Sequence, residues 1–284
     1  MPGNTRHIRK PDWLKNRLPH GEKYNEVKKI VAQHRLHTIC SSGICPNIGE
    51  CWGEGTATFL ILGDICTRSC KFCNVKTGKP LPIDPGEPMR VANSVRLMKL
   101  KHCVITSVDR DDLIDGGAAL WAQTIRDVKR MNTGITIETL IPDFQGKANL
   151  IQQIIVAEPS VISHNLETVK RLTPQVRSRA QYDLSLSVLE IISGNGGVAK
   201  SGIMVGLGET EEEVYETMDD LLKTGCHIFT IGQYLQPTKK HLAVTEYITP
   251  ETFEKYRIKG LEKGFRVVES APLVRSSFNA EKHL

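Results

Sequence analysis

The chain has 284 residues, 40% of them hydrophobic and 24% charged, which is ordinary globular composition and enough for one large α/β domain or two small ones. No run of 18 apolar residues occurs, which argues against a membrane-spanning helix, and residues 1–10 lack the apolar core of a secretory signal. The net charge of +5 sits at one end: residues 1–35 hold nine Lys/Arg against three Asp/Glu, and the remainder holds 28 against 29.

That basic excess reads either as a solvated arm or as an electrostatic landing strip for an acidic partner. Nucleic acid is not expected, because no aromatic residues interleave with the basic ones. Eight cysteines without a secretory signal point to a reducing compartment and to metal binding. The expected location is the cytoplasm, with an organelle matrix open if a transit peptide has been removed.

Taken in order, residues 1–22 are polar and punctuated by Pro11 and Pro19, as in an arm. Residues 24–34 predict a short helix with Val27, Ile30 and Val31 on one face. Cys40, Cys45 and Cys51 follow in a C-x4-C-x5-C spacing, where Gly43, Pro46 and Gly49 predict an irregular loop and no helix. Residues 58–62 predict a fully buried strand. Beyond its C-terminal end come Cys66, Cys70 and Cys73 in a C-x3-C-x2-C spacing, with Phe72 directly before the third.

Three thiolates on one short loop are what a [4Fe–4S] cluster needs when protein ligates three irons and the fourth stays open. Structural zinc usually brings two C-x2-C knuckles, and only Cys70 and Cys73 form one here. A single zinc site would not explain two three-cysteine groups within 34 residues, and disulfides suit small secreted domains. Cys103 and Cys226 stand apart in apolar sequence, as buried, unreactive thiols do.

Downstream the pattern alternates. Helices are expected at 91–100, 118–131, 149–156, 182–192, 211–222 and 250–263. Strands are expected at 102–108, 135–141, 160–164, 199–207 and 228–234, with a last short run at 265–268. This alternation means βαβ units and a parallel sheet. About six strands before the last run favour a partial barrel over a closed eight-stranded one.

Polar residues collect just past the strand ends: Asp109 to Asp112 with Gly116 and Gly117, then Asn165 and Glu167, Gly206, Gly208, Glu209 and Thr210, Gln236, and finally Arg275, Ser276 and Ser277. Singly, Asp111, Asp112, Glu209 and Thr210 read as helix caps, and Gly206 with Gly208 reads as a turn. Jointly they fall on the rim that carries the second cysteine group, which predicts a substrate and cofactor pocket there.

Cys66, Cys70, Phe72 and Cys73 after a buried strand resemble the radical S-adenosylmethionine (SAM) enzymes. The likeness narrows to the lipoyl synthase family through Cys40, Cys45 and Cys51, Pro46 to Trp52, Thr56 to Gly63, Ile105 to Asp112, Gly116 to Ala118, His164 to Thr168, Lys200 to Glu209, Gly232 to Pro237 and Arg275 to Ser277. It runs from about Cys40 to Ala280, with Phe278 standing where that family usually has Tyr.

The resemblance implies an α/β fold: a partial (β/α)6 TIM-type barrel over 57–270, an N-terminal arm and auxiliary-cluster loop over 1–56, and a C-terminal segment over 271–284 returning to the auxiliary cluster. It implies two [4Fe–4S] clusters and SAM. Cys66, Cys70 and Cys73 would hold the first cluster. Cys40, Cys45 and Cys51 would hold the second, with Ser277, in preference to Ser276, as its fourth ligand. Phe72, Asp109, Asn165, Glu167, Arg179, Gly206, Gly208 and Glu209 would face SAM or substrate.

The implied activity is insertion of two sulfur atoms, at C6 and C8 of a protein-bound octanoyl-lysine, with the second cluster as sulfur donor. The implied partners are octanoylated carrier domains of 2-oxoacid dehydrogenases and of the glycine cleavage system, an electron donor such as ferredoxin or flavodoxin, and a cluster-assembly carrier. Two other readings share part of the pattern. A different radical SAM sulfur-inserting or methylthio-transferring enzyme would share Cys66, Cys70 and Cys73 but lack the other triad and Arg275-Ser276-Ser277. A zinc-stabilised binding module would hold about two zincs and no sulfide.

Overall fold

The computed structural model describes residues 9–15, 21–54 and 56–277. Helix α1 (Glu22–Gln33) precedes strand β1 (His37–Thr38) and two short helices, α2 (Ile39–Ser42) and α3 (Ile48–Gly53). The main sheet then continues with β2 (Thr58–Ile61), and a small parallel pair, β3 (Ile65–Cys66) and β4 (Lys76–Thr77), branches off beside it. Six helix–strand repeats follow: α4 (Glu87–Leu97) to β5 (His102–Ser107), α5 (Ala118–Met131) to β6 (Thr136–Leu140), and α6 (Ala148–Val156) to β7 (Val161–Ser163). Then come α7 (Thr173–Val176) and α8 (Tyr182–Gly194) to β8 (Ala199–Val205), α9 (Glu211–Lys223) to β9 (Ile228–Gln233), and α10 (Pro250–Lys263) to β10 (Val267–Ser270).

The sheet order is β1-β2-β5-β6-β7-β8-β9-β10. Every neighbouring pair is parallel except β1 with β2. Among the described residues no ladder joins β10 back to β1 or β2, so the barrel stays open. This is the expected partial barrel, with the last short run forming β10 two residues later than its apolar residues suggested.

Side chains alternate along each strand, and the alternation sorts them into two layers. Phe59, Ile61, Ile105, Ile137 and Ile231 are buried in the hydrophobic core. Thr58, Val104, Thr106, Glu138, Leu140, Gly202, Met204, Thr230 and Gly232 line the barrel interior. A parallel sheet covered by helices needs one apolar face, and the second face, which mixes polar and apolar side chains, is free to build a site.

One expectation is corrected. The Cys40–Cys51 stretch is not all irregular loop, because Cys40 lies in α2 and Cys51 in α3. Thr38 caps α2 by accepting from the Ser41 amide at 3.3 Å, which satisfies an otherwise orphaned donor. Gly49, expected to break the chain, is accommodated inside α3, as a short helix tolerates at a modest cost. Cys103 and Cys226 are fully buried, as expected.

Candidate functional site

The barrel mouth opens into a cavity of about 600 Å³, within the range of small-molecule and cofactor sites. Its wall includes Cys66, Cys70 and Cys73 together with Cys40, Cys45 and Ser277. Cys51 stands behind that wall, close enough to Cys40 and Cys45 for their charges to act on it. Residues more than two hundred positions apart therefore meet across one space.

Buried ion pairs set the loop that carries Cys66, Cys70 and Cys73. Arg68 donates to Asp111 at 2.8 and 2.7 Å and to Asp143 at 2.6 and 2.8 Å, and Asp109 lies 3.4 Å away. Burial alone would lower the Arg68 pKa, but the Asp111 and Asp143 carboxylates outweigh it and raise it. Burial also acts to raise Asp143, and Arg68 overrides it, holding that carboxyl at about 2. Two forked Arg–carboxylate contacts fix both position and orientation. Backbone contacts complete the seat: Thr67 N donates to Asp109 O at 3.0 Å, Lys71 N to Val176 O at 3.0 Å and Leu242 N to Lys71 O at 3.2 Å.

The thiols are held in the neutral form in the absence of metal. Burial, with Cys45 nearby, pushes Cys40 up to about 11. Burial with its neighbours takes Cys51 to about 12, Cys66 to about 11 and Cys73 to about 12. Cys45 and Cys70 are raised by burial as well, with Arg275 easing Cys45. Soft thiol donors in threes suit iron–sulfur chemistry, and binding there would displace protons. Among the described residues no three His, Cys, Asp or Glu groups gather around a single-ion position.

Two buried polar atoms of wall residues are left without a hydrogen-bond partner among the described residues: Asn165 Oδ1 and Arg177 Nε. Such orphans are expensive in a closed core and fit a cavity built to receive a polar ligand. Glu167 is beside them, in left-handed backbone at φ 67°, with its carboxylate accepting from Asn165 Nδ2 at 3.1 Å. Burial raises its pKa.

The expected SAM and substrate residues separate in space. Phe72, Asp109, Asn165 and Glu167 line the cavity; Arg179, Gly206, Gly208 and Glu209 are not among its lining residues. Arg179 is largely exposed and reaches Asp111 at 3.4 Å. Glu209 folds back to accept from the Gly206 and Leu207 amides. Gly206 and Gly208 have φ of 95° and 105°, so this segment is a turn.

Thr210 is a cap, closing a capping box with Glu213 on α9, whereas Asp111 and Asp112 pair with Arg68 and Arg110. Sequence reasoning missed Arg177, whose Nη1 donates to Asn165 O at 3.0 Å and Ser185 Oγ at 3.1 Å. Two arginines two residues apart in one loop gave no signal for which faces inward.

His164 closes the floor of this group. Nδ1 lies 2.9 Å from Ile141 O, an acceptor only, so it carries the proton, and Nε2 accepts from Ser185 Oγ at 3.0 Å. Burial, assisted by Arg177, holds its pKa down at about 4. A depressed histidine keeps its neutral form in the fold while the unfolded chain takes up a proton below about 6.5. Stability should therefore fall by on the order of 3 kcal/mol as pH drops from about 6.5 to about 4. In urea titrations across that window, H164Q should flatten the slope; an unchanged slope would assign the acid sensitivity elsewhere.

Two family models match this chain: the Radical SAM superfamily over residues 60–221, and the N-terminal domain of lipoyl synthase of the Radical SAM family over residues 2–45. The lipoyl synthase of Bacteroides fragilis is 66% identical over 282 residues, covering 99% of this chain and 98% of that one. That of Porphyromonas gingivalis is 61% identical over 281 residues, covering 99% and 100%. Among solved structures, Streptococcus suis SuiB bound to S-adenosylmethionine aligns with a TM-score of 0.59 at 11% identity, covering 80% of this chain and 55% of that one. The hydrogenase maturase HydG from Carboxydothermus hydrogenoformans aligns at 0.57 and 13% identity, covering 91% and 77%. At such identities these two structures speak to the fold alone.

Proposed function

Because the chain belongs to the lipoyl synthase family within the radical SAM superfamily, we propose that its barrel mouth inserts two sulfur atoms, at C6 and C8 of a carrier-bound octanoyl-lysine. The observation that carries this reading is one cavity lined by Cys66, Cys70 and Cys73 and also by Cys40, Cys45 and Ser277, with Cys51 close to Cys40 and Cys45. Cys66, Cys70 and Cys73 would hold one [4Fe–4S] cluster and leave one iron for SAM. Cys40, Cys45, Cys51 and Ser277 would hold the other. Bound there, the first cluster with SAM supplies radical chemistry able to remove hydrogen from an unactivated carbon, and the second cluster supplies sulfur.

The chain's own residues would do the rest. Arg68 and its three aspartates hold the first thiol loop rigid. Asn165, Arg177 and Glu167 offer orphaned or charged atoms to the polar end of SAM, with Phe72 and Asp109 on the same wall. Val104, Leu140, Met204 and Val108 give the cavity an apolar lining, which suits an octanoyl chain and excludes water from a radical reaction. Residues 1–56, 57–270 and 271–284 would act as auxiliary-cluster segment, barrel and returning segment.

The carriers would be the octanoylated domains of 2-oxoacid dehydrogenases and the glycine cleavage system. A ferredoxin or flavodoxin would supply electrons, and a cluster-assembly carrier would supply iron and sulfide. An acidic carrier domain would give the basic N-terminal region a use; residues 1–8 and 16–20 of that region, and Phe278, lie outside the described residues, and Lys10 lines the cavity. No described helix is long and apolar enough to cross a membrane.

The test is anaerobic incubation of reconstituted protein with SAM, dithionite and an octanoyl-lysyl peptide. 5′-Deoxyadenosine and a peptide carrying two sulfur atoms are the expected products. Their absence with both clusters intact would reject the reading.

A further inference from the structure

Deeper in the barrel than the cysteines, a lysine and a glutamate face each other across the interior. Lys200 of β8 and Glu138 of β6 are both completely buried. Lys200 Nζ donates to the two Glu138 carboxylate oxygens at 2.7 and 2.8 Å and to the Ser276 carbonyl oxygen at 2.5 Å. Ser163, on the intervening strand β7, donates to Glu138 at 2.9 Å. Among the described contacts, the Lys200 ammonium thus both meets its counter-charge and holds main chain of the C-terminal segment.

That segment is bound along its length. Gln233 N donates to Pro272 O at 3.2 Å, Asn47 Nδ2 to Leu273 O at 2.7 Å and Asn165 Nδ2 to Ser276 Oγ at 2.6 Å. Gly232 permits the Val274 carbonyl to lie where a Cβ would overlap it. Among these contacts the Lys200 bond is closest to Ser277 along the backbone and carries a full charge, which strengthens it over a neutral bond. It grips a carbonyl, so it sets the path of the chain at 276–277 whatever side chain sits at 276.

We propose that the Lys200–Glu138 pair is the positioning anchor that sets the C-terminal serine segment against Cys40, Cys45 and Cys51. Glu138 makes the anchor releasable, because it still neutralises Lys200 when the Ser276 carbonyl moves away. The inference rests on reading Ser277 as the fourth ligand of the second cluster. It assigns to two barrel-floor residues, neither of them a ligand, control over how firmly that ligand is presented.

The test uses hydrogen exchange of the metal-free full chain, together with iron release to a chelator from a chain whose Cys66, Cys70 and Cys73 are replaced by alanine. The paired variant E138M/K200M removes both charges together and so avoids leaving either one buried alone. Exchange of the 273–277 amides should accelerate about tenfold or more while strand amides stay within about twofold, because local opening is read apart from global unfolding. Iron release should quicken by about the same factor. S276A, which removes the Asn165 contact but keeps the carbonyl, folds independently of that pair and should retain protection within about threefold.

Unchanged 273–277 exchange in the folded paired variant overturns the anchor. So does an S276A chain whose segment is freed to the level of unprotected amides. If the paired variant frees the segment while S277A releases iron as slowly as the parent, the anchor stands and the serine-ligand reading fails.

Discussion

Replacing Cys40, Cys45 and Cys51 together by alanine should lower bound iron from about eight to about four atoms per chain and reduce sulfur insertion to background. SAM cleavage should persist, because Cys66, Cys70 and Cys73 sit on a separate loop with its own supports at Arg68, Val176 and Leu242. The converse variant, Cys66→Ala, should abolish SAM cleavage and leave the second triad loaded. Iron and sulfide analysis beside a 5′-deoxyadenosine assay separates the two. Loss of SAM cleavage in the first variant, with its remaining cluster intact, would show that the triads do not divide the work this way.

Arg68→Ala should be among the most destabilising substitutions in the chain, by about 3–5 kcal/mol, because it strands buried Asp143 and leaves Asp111 only the largely exposed Arg179 at 3.4 Å. Asp143 is 2% exposed and Asp111 12% exposed at the side chain, so water cannot replace the lost partner. Part of the loss should be relieved by acid. Asp143 would no longer be held down, and burial, no longer overridden by Arg68, would favour its protonation, which removes the stranded charge. In the parent the sign is opposite: a depressed carboxyl contributes stability above about pH 4 that is lost as pH falls toward about 2. Arg68→Lys should recover only part, since an ammonium cannot fork onto two carboxylates. A denaturation midpoint for Arg68→Ala within about 1 kcal/mol of the parent would mean the aspartates are solvated in solution.

The periodic elements were legible because their signals are local. Residues 118–131 and 250–263 coincide with α5 and α10, where an apolar stripe and a capped start suffice. The Cys40–Cys51 stretch was misread because Gly and Pro signal breaks without excluding single helical turns between them. Thr38 and Asn47 start those turns. Among the polar rim residues, sequence position placed Asn165 and Glu167 on the cavity but could not separate Arg177 from Arg179, which differ in packing and not in type. Glu209 was drawn toward the cavity by its neighbours in sequence, yet the amides of Gly206 and Leu207 claim its carboxylate.

The sequence by itself determined the chemistry: two thiol triads, their spacing, and the strand–helix alternation that carries polar residues past strand ends. These follow from residue type and short-range geometry. Tertiary structure alone decided that Ser277 lines the same cavity as Cys40 and Cys45, that Arg68 clasps Asp111 and Asp143, and that Lys200 and Glu138 meet the returning segment. The reason is that opposed charges and far-separated residues become neighbours only once the barrel curves the strands round a shared interior. No local pattern in the chain encodes that distance.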